Sequence, residues 1–152
     1  MNILILSAGT RNKVVQYFKK ELAGKGKVIA TDCSNLAPAV YEADRFYLVS
    51  RISEPGYVEM ILDICKKEEI TGVFSLIDPE LSLLAKERER FLEIGVFPVV
   101  SPYELVEICF DKYKMYQLLT DMKIPTGRCY VDKEEFYRGV EQGDISYPVF
   151  VK

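Results

Sequence analysis

The feature that most constrains this chain is an alternation. Residues 2–7, NILILS, form an unbroken apolar run closed by small residues, as expected of a strand buried on both faces of a parallel sheet. After the turn SAGTRN, Val14, Phe18 and Leu22 recur at spacing four with Lys13, Lys19 and Lys20 between them, which predicts a helix with one buried stripe ending near Gly24 and Gly26. The unit then repeats. KVIATD (27–32) reads as a second strand, residues 38–43 as a short helix or loop, and RFYLV (45–49) as a third strand. Pro55 opens a helix with Val58, Ile61, Leu62 and Cys65 on one face, GVFSLI (72–77) is a fourth strand, Pro79 starts a helix through about Phe91, and VFPVV (96–100) is a fifth strand. Strands alternating with helices predict an α/β fold, a Rossmann-like doubly wound parallel sheet of about five strands with right-handed crossovers.

After Ser101 the alternation breaks. Leu105, Val106 and Cys109 predict one helix, and Met115, Leu118, Leu119 and Met122 a second directly behind it. KIPTGRCYV reads as a turn and a strand, DKEEFYRGVEQG as a helix capped by Asp132 and stopped at Gly143, and YPVFVK as a further apolar strand ending on Lys152. This second stretch resembles the start of a new unit. No repeat and no low-complexity segment is present.

The composition narrows the chemistry. At 152 residues there is room for one ordinary core. Twenty basic against twenty-three acidic residues, net charge -3, with no block of one sign, leave no electrostatic footprint for nucleic acid or an acidic membrane. The opening apolar run is too short for a signal sequence or a membrane span, so a cytoplasmic location is expected. Cys33, Cys65, Cys109 and Cys129 form no CxxC pair and are read as plain buried thiols, and the chain has no histidine. Hydrolases with a histidine base and imidazole metal sites are thereby excluded. Chemistry must come from lysine, arginine, carboxylates, hydroxyls and backbone.

Those groups gather at predictable places. The turn from Ser7 to Asn12 joins a strand to a helix, so in such a sheet it lies at the carboxyl edge where ligands bind, with backbone N–H groups and the helix dipole suited to an anion. A GxGxxG fingerprint would need three glycines and this turn has Gly9 alone. Asp32 falls 23 residues after Gly9, where a dinucleotide fold places its ribose-binding acid; the plainer reading is a tight turn with Asp32 capping the segment that follows. Arg11 sets a cation against the dipole at the helix start, which an anionic ligand would explain. Asp78 and Glu80 begin the helix after the fourth strand, either as caps or as a pair of acids facing the same crevice and suited to an amine or ammonium. Lys112 at a helix start and Lys152 at a strand end could together grip a polyphosphate, or could simply be solvated.

The helix opened by Asp111 and Lys112, the IPT turn, the short strand, the helix and YPVFVK, preceded in order by LSAGTRNKVVQYFK, ATD, AD and DPEL, resemble the ATP-grasp superfamily. The likeness is to the N-terminal region of carbamoyl-phosphate synthase large subunits and similar ATP-dependent carboxylate-amine ligases. It implies a Rossmann-like pre-ATP-grasp domain at residues 1–109 and the beginning of an ATP-grasp domain at 110–152. It further implies that Lys112 and Lys152 contact ATP phosphates and that Ser7, Gly9, Arg11, Asp32, Asp78 and Glu80 face the second substrate. The cofactors implied are ATP and Mg2+, with the metal ligands outside these residues, and the partners are a carboxylate, an amine or ammonia, and a second polypeptide carrying the rest of the fold. The 152 residues alone are expected to be inactive. A homodimer through the edge at Val149 to Val151 is a further expectation. The alternatives are a non-catalytic Rossmann-like module for a nucleotide or small molecule, and an NAD-dependent oxidoreductase domain.

Overall fold

The computed structural model describes residues 1–151 and divides the chain into two compact units, Met1–Val106 and Glu107–Lys152. The first unit is the expected α/β sheet. Its elements run β1 (Asn2–Leu6), α1 (Asn12–Leu22), β2 (Val28–Asp32), a 3-10 turn (Pro38–Glu42), β3 (Arg45–Leu48), α2 (Tyr57–Lys67), β4 (Ile70–Ser75), α3 (Asp78–Lys86), α4 (Arg88–Glu93) and β5 (Phe97–Pro98), and α5 (Tyr103–Phe110) crosses into the second unit. All strand pairs are parallel, in the order β3-β2-β1-β4-β5.

Two-residue alternation along the strands builds both cores. Ile3 and Ile5 of β1 point to one face, with Val15 and Leu22 of α1, Val28, Ala30, Val40 and Phe74; Leu4 and Leu6 point to the other, with Ile29, Ile61, Leu62 and Cys65 of α2, Leu84, and Phe91 of α4. Because β1 and β2 are covered on both sides they read as continuous apolar runs, which is why the sequence locates them to within a residue.

The departures have local causes. β4 begins and ends two residues earlier than expected, because Leu76 is half-exposed in the turn after the strand, its apolar side chain notwithstanding. Pro55 does not open α2; Gly56, left-handed at φ 83, is its N-cap, and Tyr57 is the first helical residue. The helix expected through Phe91 is broken at Glu87, whose φ -93 and ψ 10 end α3 and begin α4. β5 shrinks to Phe97–Pro98, since a proline gives no N–H to a ladder and is tolerated only at an edge.

In the second unit Asp111 caps α6 (Lys112–Asp121), its carboxylate accepting from the N–H groups of Tyr113 and Lys114 at 3.0 and 3.1 Å. Asp132 caps α7 (Lys133–Glu141) as expected, accepting from the Glu135 N–H at 2.8 Å. The rings of Tyr130, Tyr137 and Tyr147 gather around Phe136, and Arg128 pairs with Asp144 at 3.0 Å. Two expectations fail here. The segment 123–131 and the described part of YPVFVK form no strand; Phe150 and Val151 stand 105% and 95% exposed, and the Tyr147–Pro148 bond is cis. An apolar run becomes a strand only when another strand pairs with it, and none among the described residues does. The edge expected to support a homodimer at Val149 to Val151 is therefore not formed among the described residues, and Lys152 lies outside them.

Among the described residues no helix is long and apolar enough to cross a membrane. The four cysteines are free, and of them only Cys65 is buried; Cys33 is exposed in the turn after β2, and Cys109 and Cys129 are intermediate, so the expectation of four buried thiols is corrected.

Candidate functional site

The order β3-β2-β1-β4-β5 reverses direction between β1 and β4: the chain leaves β1 toward β2 and β3, then crosses to β4 and β5 on the other side. At such a switch point the loops after the two central strands diverge and leave a crevice at the carboxyl edge. The loops concerned are Ser7–Arg11, after β1, and Leu76–Ile77, after β4. Of the residues singled out from sequence, Ser7, Gly9 and Arg11 fall on the first loop, and Asp78 and Glu80 open the helix that follows the second.

Ser7 is the pivot. It holds a left-handed conformation, φ 43, uncommon for a residue with a side chain, and its Oγ donates to Oε1 of Glu80 at 3.0 Å. Glu80 is fully buried. Besides Ser7 it accepts hydrogen bonds from the Tyr57 hydroxyl on the same oxygen and from Ser75 Oγ on the other. One carboxylate thus ties the end of β1, the end of β4 and the start of α2 together. Burial, then the adjoining Glu80 carboxylate, push the Tyr57 phenol far above its usual value, so Tyr57 is a hydrogen-bond donor at every physiological pH.

Arg11 closes the same clasp from the solvent side. It is the N-cap residue of α1, and its guanidinium turns back to donate to the Ser7 carbonyl at 3.2 Å and the Leu76 carbonyl at 3.3 Å. The cation at a helix start is accounted for by two carbonyl partners, one from each loop. Gly9 follows at φ 54, and a Cβ there would lie 3.2 Å from the Arg11 guanidinium, so conformation and space both favour glycine. Its N–H donates to Asp32 Oδ2 at 2.8 Å, while Oδ1 of the same carboxylate accepts from the Ser34 N–H at 2.9 Å. Asp32 is therefore buried in bracing the β1 and β2 turns, the plainer of the two readings offered from sequence, and both its oxygens have backbone donors.

The structure brings together Ser7, Gly9, Arg11, Asp32 and Glu80 and separates the expected pair of acids. Glu80 faces inward to three hydroxyls, while Asp78 is exposed in the first turn of α3, whose N-cap Ile77 provides no side-chain cap. Two carboxylates two apart on a helix do not share a face. Tyr57 and Ser75 belong to this site and were missed from sequence. Tyr57 lies outside the stripe of Val58, Ile61, Leu62 and Cys65 read for that helix, and Ser75 falls inside the expected strand 72–77, where a serine carries no signal of its own. Lys112 is exposed in the second unit, its Nζ donating to the Cys109 carbonyl at 3.4 Å; Lys152 lies outside the described residues. The second unit also holds an open depression of about 450 Å3 between Tyr116 and Thr120 of α6 and Lys123, the IPT turn (Ile124, Pro125, Thr126) and Arg128 beyond it; none of the candidate site residues lines it. Among the described residues no three cysteine or carboxylate side chains group closely enough to hold a metal ion.

Comparison with known proteins agrees with this fold. The chain is 24% identical over 135 residues to the carbamoyl phosphate synthase large chain of Clostridium acetobutylicum, a match covering 88% of this chain and 12% of that protein. Among solved structures it resembles N5-carboxyaminoimidazole ribonucleotide synthetase from Thermotoga maritima, with TM-score 0.64 and 23% identity over 90% of this chain and 35% of that one. It also resembles the biotin carboxylase domain of the Hydrogenobacter thermophilus 2-oxoglutarate carboxylase, solved as a dimer with MgADP, ADP and bicarbonate, at TM-score 0.62, 20% identity and 97% and 33% coverage. At these identities the structural likeness establishes the fold. The chain spans about an eighth of the sequence relative and about a third of the structural ones. The likeness to carbamoyl-phosphate synthase large subunits read from the ordered motifs is borne out. Residues 3–100, the sheet and its switch-point loops, match the model of the PylC-like N-terminal domain, and the chain belongs to that family.

Proposed function

We propose that this chain is the N-terminal part of an ATP-dependent carboxylate-amine ligase of the ATP-grasp kind, with residues 1–109 as its pre-ATP-grasp domain and 110–152 as the beginning of its ATP-grasp domain. The complete ligase transfers the γ-phosphoryl group of ATP to a carboxylate, giving an acyl phosphate and ADP; an amine or ammonia then attacks the acyl carbon and inorganic phosphate leaves. The observation that carries this reading is a succession: the switch-point sheet of the PylC-like family is followed, after the intervening α5, by an Asp111-capped helix that begins on Lys112. Lys112 and Lys152 are the ATP-phosphate contacts, and the crevice between the β1 and β4 loops faces the second substrate.

Within that crevice the roles divide. Glu80 and Asp32 set the shape of the loops, since their oxygens are held by Ser7, Tyr57, Ser75, Gly9 and Ser34. Arg11 and the exposed Asp78 are the charged groups at its mouth. The magnesium that accompanies ATP takes its ligands from the remainder of the ligase. The protein works in the cytoplasm. The 152 residues alone neither bind Mg·ATP tightly nor turn it over.

The test is kinetic and uses the completed ligase. Lys152→Ala and Lys112→Ala should each raise the apparent KM for ATP steeply and leave the circular dichroism of the folded protein unchanged. Wild-type kinetics in both variants would overturn the phosphate role.

A further inference from the structure

The sheet has two edges and treats them differently. β5 is two residues long and contains Pro98. Arg88 lies over the Phe97 ring, 5.2 Å from its centroid, and donates to the carbonyls of Pro98 at 3.2 Å and Val100 at 3.3 Å. A short strand, a proline and carbonyls already capped by a side chain are devices that stop an edge from pairing with another sheet. β3, at the opposite edge, has none of them. Its four residues, RFYL, include neither proline nor lysine, and its single charge, Arg45, is drawn to Glu68 at 3.0 Å. Phe46 and Leu48, which share a face, stand 41% and 59% exposed, and the exposed Tyr41 sets its ring 5.7 Å from that of Phe46.

We propose that this edge is the interface of a homodimer, formed by antiparallel pairing of β3 with β3 of a second copy about a two-fold axis at Tyr47. One register suits self-pairing. Residues directly opposite in an antiparallel pair share a face of the sheet, so a two-fold axis must fall on a residue and not between two. At Tyr47 it sets Phe46 against Leu48 of the second copy and Leu48 against Phe46, with Arg45 opposite Val49 and Asp44 opposite Ser50. Moved to Leu48, it would face Arg45 with Arg51, and like charges directly opposite are destabilising. Moved to Phe46, it would press Asp44 onto Leu48, an acid onto an apolar side chain. The Tyr47 register alone sets Phe46 and Leu48 against each other on both sides of the axis and opposes no like charges; Arg45, beside Val49, is drawn to Glu68, and the contact closes on itself as an isologous one must. The two five-stranded sheets then run on as one, β3 to β3. The pairing draws nothing from the ligase reading, and either can fail without the other.

Sedimentation velocity of the 152-residue chain over a wide range of concentrations tests the proposal. A concentration-dependent monomer–dimer equilibrium is expected. Leu48→Lys, at a position exposed in the monomer, should leave only monomer, and Phe97→Lys at the opposite edge should leave the dimer intact, with unchanged circular dichroism in both. A cross-linking experiment does not depend on those variants. In a background of Cys33→Ser, Cys109→Ser and Cys129→Ser, mild oxidation of Tyr47→Cys should give a covalent dimer, because paired Cα atoms about 5 Å apart are within disulfide reach. Phe46→Cys and Leu48→Cys should cross-link efficiently only when mixed. A chain that stays monomeric at every concentration, a dimer that Leu48→Lys leaves unchanged, or pairing of β3 only with some other protein would overturn the proposal.

Discussion

Glu80 is the residue on which the candidate site turns. A wholly buried carboxylate is costly unless its oxygens are satisfied, and here three hydroxyls from three different elements satisfy them. The dependence runs both ways, since removing the acceptor leaves Ser7, Tyr57 and Ser75 with buried donors. Glu80→Ala is expected to destabilise the first unit by about 3 kcal/mol or more, and Tyr57→Phe, which removes one donor and keeps the acceptor, by about 1–2 kcal/mol, both read from urea unfolding of the chain. Equal losses in the two variants would mean that the carboxylate does not organise the cluster. From sequence, Glu80 was legible as a residue of the site and illegible as its foundation. Its position two residues after Asp78 suggests a pair of acids, and only the fold reveals which of the two the helix turns inward. The thiols separate in the same way. Burial pushes Cys65 up to about 12, while Cys33 is exposed, so alkylation of the native protein should label Cys33 and spare Cys65 until the chain is unfolded. Mass spectrometry of the labelled peptides reads the outcome, and rapid native labelling of Cys65 would contradict it.

Between elements, one contact open to pH joins β3 to the end of α2. Glu68 is buried, and the Tyr47 hydroxyl, acting against the cost of burial, and then Arg45 beside it hold its carboxyl below the ordinary value of 4.5. A carboxyl depressed in the folded state stabilises it above the unfolded value, and that contribution is lost as pH falls through the lower, folded one. Glu68→Gln should therefore lower stability near neutrality and flatten the loss of stability on acidification below about pH 4.5. Thermal melts across an acid series would show the two curves converging at low pH; curves that stay parallel would rule out the linkage. Elements were legible from sequence in proportion to how fully they are enclosed. β1 and β2, covered on both faces, read as strands from composition alone. β4 was placed two residues late because Leu76 and Ile77 are apolar yet belong to the turn. YPVFVK reads as a strand on the same grounds, but residues 147–151 find no partner strand among the described residues, and no local pattern supplies one.

For the molecule as a whole, the two units differ in how much they hold themselves together. The first has a core on each face of its sheet, whereas no residue of α6 is buried and in α7 only Gly139 is. A unit that buries so little apolar surface gains little from the hydrophobic effect, and hydrogen exchange should find α6 and α7 protected far less than β1, β2 and β4. Comparable protection in both would show that the second unit is stable unaided. The same division bears on the proposed function, which draws on the switch-point crevice in the first unit and on Lys112 in the second. Calorimetric titration of Mg·ATP into the 152-residue chain tests the central claim most directly. The proposed ligase reading predicts no saturable heat at micromolar nucleotide, because it assigns part of the ATP site to residues outside these 152; binding in the micromolar range or tighter by this chain alone would contradict it.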